Sequence, residues 1–180
     1  MKATGIVRRI DDLGRVVIPK EIRRTMRIRE GDPLEIYTDR EGEVIFKKYS
    51  PIGEMQVFSS QYAETLNKTC QLSVIICDRD VIIACSGISK KEYTDRKLSS
   101  ELESIIEERS IFYYQNNADE IYAVDGAPAK ISCAMPIISD GDVTGCVASV
   151  FTDERNSLPR ETEIKLVQTA ASFLGKQLES

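Results

Sequence analysis

The sequence predicts two domains of different kinds: a short β-rich segment over residues 1–50, and a larger α+β domain with an antiparallel sheet over residues 51–180. The first observation is that the two segments differ in charge. Residues 1–50 carry 12 basic and 9 acidic residues, whereas residues 51–180 carry 12 basic and 20 acidic residues. The second is patterning, because short β-branched runs fill the first segment, while helical periodicity and hairpins alternate in the second. Ser50-Pro51 marks the boundary between them.

Short strands separated by turn residues make up the first segment. Predicted strands cover residues 4–10, 15–18, 34–37 and 44–48, and a short helix covers residues 20–26. Turn residues join the strands in pairs, and Pro19 ends the second strand. Four strands and one short helix leave open edges and too little core, so we expect an obligate dimer whose strands can interleave.

The second segment begins with an amphipathic helix and a hairpin. The helix is predicted from apolar residues at spacings of three and four, namely Met55, Phe58, Tyr62 and Leu66. Apolar β-rich runs over residues 72–77 and 81–86 then flank a short turn.

A second helix and a second hairpin follow. Leu98, Leu102, Ile105 and Ile106 predict the helix, and Ser100 with Glu103 fits a capping box at its start. Strands over residues 131–138 and 143–151 form the hairpin, in which Pro136 indicates a sheet edge or a bulge. This order predicts an antiparallel sheet with helices packed on it.

Ser157 and Pro159 are predicted to open a final helix with two apolar stripes. One stripe comprises Ile164, Val167, Ala171, Leu174 and Leu178, and the other comprises Leu166, Ala170 and Phe173. The first stripe can cover a sheet. The second either meets a helix of another chain or is buried within its own domain, and the pattern leaves both open.

Missing residue types narrow the chemistry. The chain has no His, which excludes Ser-His and Cys-His nucleophilic sites and His-ligated metals. Its five Cys form no CxxC pair, so we expect neither disulfides nor a zinc site, and we interpret them as small core hydrophobes. We predict no catalytic residue, no metal and no cofactor. Without a membrane-length apolar run or a signal-peptide core, we expect a cytoplasmic protein.

Arginine dominates the basic head of the chain. Residues 1–29 carry nine basic and three acidic residues, and seven of the basic ones are Arg: Arg8, Arg9, Arg15, Arg23, Arg24, Arg27 and Arg29. The planar guanidinium matches phosphate oxygens and guanine edges. This concentration favours a polyanion-binding surface over an ordinary solvated one.

The first segment resembles the N-terminal domain of the AbrB transition-state regulators. The matching residues are Thr4-Gly5-Ile6-Val7-Arg8, Asp11-Asp12-Leu13-Gly14-Arg15-Val16-Val17-Ile18-Pro19, Glu21-Ile22-Arg23-Arg24 and Gly31-Asp32-Pro33-Leu34-Glu35-Ile36. The resemblance implies a swapped-hairpin barrel formed by two chains, which binds double-stranded DNA and regulates sporulation-stage genes. It also implies DNA contacts by Arg8, Arg15, Arg23 and Arg24. Arg9 joins this set because it keeps the charge of a position that is often Lys in relatives.

The second segment resembles a GAF domain in its order of elements. That resemblance implies a central antiparallel sheet with a pocket on one face, and first and last helices that pack together. Related regulators use this pair of helices to join dimers into tetramers. GAF domains often bind small molecules, but nothing in the sequence identifies one here.

Three functions are compatible with the sequence. The leading hypothesis is a DNA-binding transcription regulator that tolerates differences in DNA sequence. The helix over residues 20–26 is too short to read bases as a helix-turn-helix does, so contacts to phosphates and to DNA shape must dominate the binding. An alternative is a GAF-fold thiol enzyme that reduces free methionine sulfoxide, which needs an exposed thiol of low pKa. A third is an antitoxin, whose tail is typically disordered.

Overall fold

The computed structural model describes residues 4–115, 120–152 and 160–179. The chain separates between Tyr49 and Ser50 into two compact units, called here the N-terminal and the C-terminal unit. Each is described by itself.

A short helix and a hairpin form the regular part of the N-terminal unit. The elements are α1 (Lys20–Thr25), β1 (Leu34–Thr38) and β2 (Val44–Lys48). The two strands pair antiparallel from Leu34↔Lys48 to Thr38↔Val44. The carboxylate of Asp39 closes their turn by accepting the N–H groups of Glu41 and Glu43. The predicted helix and this hairpin are confirmed.

The first two predicted strands are wrong for the single chain. Residues 4–10 and 15–18 form no strand in the described part of the unit, although the turn between them does form. A strand needs a neighbour to receive its backbone hydrogen bonds, and here the pairing stops at the turn. The apolar side chains of these segments stay in water as a result: Val7 is 87% exposed and Val17 is 68% exposed.

The C-terminal unit is a five-stranded antiparallel sheet with helices on both faces. Its helices are α2 (Pro51–Glu54), α3 (Gln56–Cys70), α4 (Lys90–Tyr93), α5 (Ser100–Glu107) and α6 (Arg160–Leu178). Its strands are β3 (Val74–Cys77), β4 (Ile82–Ser86), β5 (Phe112–Tyr113), β6 (Ile131–Ser139) and β7 (Asp142–Val150). The strand order is β4-β3-β7-β6-β5. This confirms the predicted α+β fold and both of its hairpins.

Alternation along the strands divides the core between the two faces. Ile75 and Cys77 of β3 pack with α4 and α5, whereas Val74 and Ile76 pack with α3 and α6. The α6 backbone lies so close to β6 that a Cβ at Gly175 would collide with the carbonyl oxygen of Ile138. The sheet is thus covered by apolar side chains on both sides.

One detail of the sequence prediction changes, one is borne out and one lies outside the described residues. The residue that caps α5 is Ser99, not Ser100, because the Ser99 side chain accepts the N–H of Leu102 at 3.1 Å. Pro136 lies in β6 beyond the two residues that pair with β5, so β6 has a local edge there, as predicted. Ser157 and Pro159, the predicted start of the last helix, lie outside the described residues.

The two apolar stripes of α6 meet different environments. Val167, Ala171 and Leu174 are buried against the sheet, as the first stripe predicts. In the second stripe Ala170 also belongs to the core, whereas Phe173 stays 41% exposed. The second stripe therefore serves both the core and the surface.

Candidate nucleic-acid interface

Arg15 is held by the turn that precedes it. Its N–H and that of Leu13 donate to one carboxylate oxygen of Asp11, at 2.7 and 3.1 Å, and its Nε donates to the other at 2.8 Å. Gly14 adopts a φ of 76°, a left-handed conformation that glycine tolerates well. The backbone and side-chain hydrogen bonds from Arg15 hold the pKa of Asp11 below its ordinary value. The guanidinium of Arg15 is anchored at one edge while most of the side chain stays in water.

Arg23 and Arg24 lie in the last turn of α1. Pro19 precedes the helix, and the carbonyl of Pro19 accepts the N–H of Arg23 at 2.9 Å. No residue of α1 is buried, so the helix presents its side chains to its surroundings rather than to a core. Cations in the last turn also interact favourably with the carbonyl end of a helix.

The five predicted DNA-binding residues lie on three separate segments. Arg8 and Arg9 come before the turn at Asp11, Arg15 ends that turn, and Arg23 and Arg24 lie on α1. Arg8, Arg9, Arg15 and Arg24 are exposed, and Arg23 is half-buried. Within one chain only the last two share an element.

The N-terminal unit exposes an unusual amount of apolar surface. Exposed large apolar side chains occur in every segment of the unit: Ile6, Val7, Ile10, Leu13, Val16, Val17, Met26, Ile36, Tyr37, Val44, Ile45, Phe46 and Tyr49. Soluble monomers rarely expose contiguous apolar patches of more than a few hundred square ångströms. The described residues of this unit thus leave many large apolar side chains in water, with no core of their own to cover them.

Three aromatic rings join α3, which corresponds to the predicted first helix of the second segment, to α6, the last helix. The ring centroids of Phe58 and Tyr62 on α3 lie 6.0 and 5.6 Å from that of Phe173 on α6. Phe58 and Tyr62 stack at 6.4 Å. We call these three residues the aromatic ridge. It realises the packing of first and last helices that the GAF resemblance implies.

A cavity of about 540 Å³ lies in the C-terminal unit, near the start of β6 and the end of β7. Its walls are Tyr114, Glu120, Tyr122, Pro128, Lys130, Phe151, Thr152 and Arg160. The Nζ of Lys130 lies 2.8 Å from a carboxylate oxygen of Glu120 and 4.9 Å from the ring centroid of Tyr114. The hydrogen bond between Lys130 and Glu120 raises the pKa of Lys130 and lowers that of Glu120. The cavity thus combines aromatic walls with a paired charge.

The cysteines are placed as core residues. Cys77, Cys85, Cys133 and Cys146 are buried, and Cys70 is partly exposed. Burial raises the pKa of Cys85, and it raises that of Cys133 to about 12. The pKa of Cys77 is also raised, by the hydrogen bond with Cys146 and by burial. A thiol with a raised pKa is a poor nucleophile at neutral pH. Burial of Cys77, Cys85, Cys133 and Cys146 confirms their predicted role as small core hydrophobes.

The described residues contain neither a cluster of metal-ligating side chains nor a helix that is long and apolar enough to cross a membrane.

Comparison with known proteins decides the family. Residues 54–179 match the family model described as the stage V sporulation protein T C-terminal domain, a transcription factor. The chain is also 52% identical over 181 residues to stage V sporulation protein T of Bacillus subtilis, and the match covers 99% of both chains. This chain belongs to the stage V sporulation protein T family. The predicted transcription regulator is therefore confirmed, and the thiol enzyme is not supported.

The N-terminal unit has relatives of its own. Residues 7–53 match the family model for MazE antitoxins, described as antidote-toxin recognition. The transition state regulatory protein AbrB of Bacillus subtilis is 39% identical over 104 residues, which cover 58% of this chain and 92% of AbrB. This supports the AbrB resemblance of the first segment. The folded C-terminal unit, with its match to a transcription factor, does not fit the predicted antitoxin with a disordered tail.

The C-terminal unit shares its fold with a solved enzyme. The type II free methionine-R-sulfoxide reductase of Thermoplasma acidophilum is 10% identical, with a TM-score of 0.50, and the match covers 71% of this chain and 94% of that chain. At this identity the likeness concerns the fold alone. It supports the α+β fold that the order of elements predicts for this unit.

Sequence reasoning missed the part that Asp11 plays in positioning Arg15. From the sequence, Asp11-Asp12-Leu13-Gly14 indicates only a turn. A carboxylate four residues before an arginine, across a Gly-containing turn, is a usable signal for such an anchor.

Proposed function

We propose that this protein regulates sporulation-stage genes by binding duplex DNA through the arginines of its N-terminal unit: Arg8, Arg9, Arg15, Arg23 and Arg24. The single observation that carries the proposal is their concentration on a small unit that leaves four of them exposed. The family to which the chain belongs is described as a transcription factor, which supports duplex DNA as the ligand of these arginines. Arginine forks bind phosphate oxygens through two parallel hydrogen bonds.

Phosphate contacts account for the binding better than base contacts. The helix α1 has only six residues, so it is too short to lie along a major groove as a recognition helix does. Contacts from a turn, a helix end and an irregular segment suit the DNA backbone and its shape. We therefore expect affinity with tolerance of sequence.

The exposed apolar side chains support assembly into a dimer. A second copy of the N-terminal unit would cover them and would supply neighbours for residues 5–10 and 15–18. Interleaving of these segments gives the swapped-hairpin barrel that the AbrB resemblance implies. It would also bring arginines of two chains onto one surface.

The aromatic ridge supports a second level of assembly. Phe173 is 41% exposed, and Val57, one residue before Phe58, is 74% exposed. Pairing of α3 and α6 with their equivalents would join two dimers into a tetramer with two DNA-binding barrels. Sensing of a small molecule stays a prediction, and the cavity beside Lys130 is the place at which to test it.

Replacement of Arg24 by alanine tests the DNA contacts. Arg24→Ala should weaken binding to duplex DNA severalfold and reduce the slope of log affinity against log salt by about 0.9 for each phosphate that the variant no longer neutralises. Lys47→Ala is the matched control, because Lys47 is also an exposed cation of the N-terminal unit but lies on the hairpin. Fluorescence anisotropy over a salt series measures both.

A flat salt response of the unaltered protein would contradict phosphate binding. A greater weakening by Lys47→Ala than by Arg24→Ala, with circular dichroism unchanged in both, would contradict the assignment of DNA binding to α1.

A further inference from the structure

The N-terminal unit contains the same kind of turn twice, over residues 11–15 and over residues 39–43. In each turn one carboxylate oxygen of the leading aspartate, Oδ1, accepts the N–H groups two and four residues later. The N–H of that aspartate donates to the carbonyl four residues later, at 3.0 and 3.2 Å. The fourth residue is a glycine with a positive φ, 76° at Gly14 and 86° at Gly42. One carboxylate oxygen is therefore sufficient to build this turn.

The two turns differ in the use of the second carboxylate oxygen. Oδ2 of Asp11 accepts the Nε–H of Arg15 at 2.8 Å, whereas Oδ2 of Asp39 has no hydrogen bond among the described residues. The residue of the second turn that corresponds to Arg15 is Glu43, whose ionised carboxylate has no hydrogen to donate. The side-chain bond between Asp11 and Arg15 is thus an addition to the turn and not a part of its construction.

This bond leaves the two terminal nitrogens of the Arg15 guanidinium available. The side chain of Arg15 is 69% exposed, and no described residue accepts a hydrogen bond from either terminal nitrogen. Their N–H groups form the fork that binds a phosphate through two parallel hydrogen bonds. Asp11 can therefore hold one edge of the guanidinium while the opposite end meets a phosphate.

We propose that Asp11 is a positioning residue for DNA binding, which holds the guanidinium of Arg15 ready for a phosphate of the duplex. The inference rests on the proposed function, because Arg15 belongs to the same interface. A side chain that is already held loses less conformational freedom on binding. The carboxylate also repels phosphates, but physiological salt screens exposed charges that lie more than about 8 Å apart. We therefore expect positioning to outweigh repulsion at that salt concentration.

Asp11→Asn tests the proposal because it separates the anchor from the turn. The amide oxygen of asparagine can accept the same two backbone N–H groups, whereas the amide nitrogen is a donor and cannot accept the Nε–H of Arg15. The full-length variant should stay folded and bind duplex DNA more weakly at physiological salt, by about two- to tenfold. Its slope of log affinity against log salt should be unchanged, because Arg15 still neutralises a phosphate.

Two other aspartates provide matched controls. Asp12→Asn removes the same charge from the same turn, although the Asp12 carboxylate takes no part in the hydrogen bonds described for that turn. Asp39→Asn makes the same change in the turn whose aspartate anchors no arginine. Neither control should weaken DNA binding. Fluorescence anisotropy measures the affinities, and thermal unfolding followed by circular dichroism checks the fold of each variant.

A double-mutant cycle with Arg15→Ala shows whether Asp11 acts through Arg15. Once the Arg15 side chain is absent, Asp11→Asn should no longer weaken DNA binding. An equal weakening in both backgrounds would mean that Asp11 serves only the turn, and it would overturn the inference. A weakening by Asp12→Asn as large as that by Asp11→Asn would overturn it as well, since loss of charge would then be the cause.

The remaining outcomes separate this inference from the proposed function. Unchanged or tighter binding by Asp11→Asn, together with weaker binding by Arg15→Ala, would overturn the inference and leave the proposed function standing. Unchanged binding by Arg15→Ala would remove both Arg15 and Asp11 from the interface. Absence of salt-dependent DNA binding by the unaltered protein would remove the proposed function and this inference together.

Discussion

At the scale of single residues, the thiols of the C-terminal unit separate by exposure. Cys70 at the end of α3 is partly exposed, whereas Cys77, Cys85, Cys133 and Cys146 are buried. Since reaction requires an accessible thiolate, a thiol reagent should label Cys70 in the native protein and the other four only after unfolding. Ellman's reagent measures both phases.

Cys70→Ser provides the control for that labelling. It should abolish the native phase and leave four thiols to react in denaturant. Rapid labelling of any thiol in native Cys70→Ser would contradict the core placement and revive the thiol enzyme as a candidate.

Residue types were more predictable than backbone conformations. The arginine cluster could be predicted from composition, and the core cysteines could be predicted from the strand patterns in which they lie. The left-handed backbone conformation of Arg27 could not be predicted, because in a sequence only a glycine signals such a conformation. The anchoring of Arg15 by Asp11 was also missed, since it depends on the geometry of the turn.

At the scale of elements, the start of α5 depends on one buried side chain. The hydroxyl of Ser99 accepts the N–H of Leu102 at 3.1 Å and donates to the carbonyl of Tyr122 at 2.6 Å. Ser99→Ala removes the cap and leaves that carbonyl without its donor, so it should lower the free energy of unfolding by about 1–2 kcal/mol.

Ser100→Ala is the matched control for the cap. Ser100 is exposed, and its hydroxyl contacts only the neighbouring Glu101 side chain among the hydrogen bonds described, at 3.1 Å. This substitution should change the free energy of unfolding by no more than about 0.5 kcal/mol. Urea unfolding followed by circular dichroism compares the two, and a larger destabilisation by Ser100→Ala would restore the capping box predicted from the sequence.

Strands that pair with a neighbour close in the same chain were predictable. Both hairpins of the C-terminal unit and the β1–β2 hairpin have their turn signals and apolar alternation within a short stretch of sequence. The segments over residues 4–10 and 15–18 have the same β-rich composition, yet they form no strand in the described chain. A strand also needs a partner for its backbone hydrogen bonds, and composition does not say where that partner lies.

At the scale of the whole molecule, the aromatic ridge should control assembly. Phe173→Ser removes a ring from the exposed side of the ridge but no side chain from the fully buried core, so the protein should stay folded and change from a tetramer to a dimer. Ile138→Ser removes an apolar side chain of similar exposure outside the ridge and should stay a tetramer. Light scattering measures the mass of each, and a tetrameric Phe173→Ser would show that another surface joins the dimers.

The central claim is that paired arginine-bearing units, joined through the C-terminal units, bind one DNA together. Linked sites raise apparent affinity by about 10²–10⁴ when the geometry lets both engage. The most direct measurement is the ratio of affinities of the full-length protein for a long duplex and for a duplex that fits one barrel, at one fixed salt concentration. We predict tighter binding to the long duplex by a factor in that range. Equal affinity for the two duplexes would contradict the account.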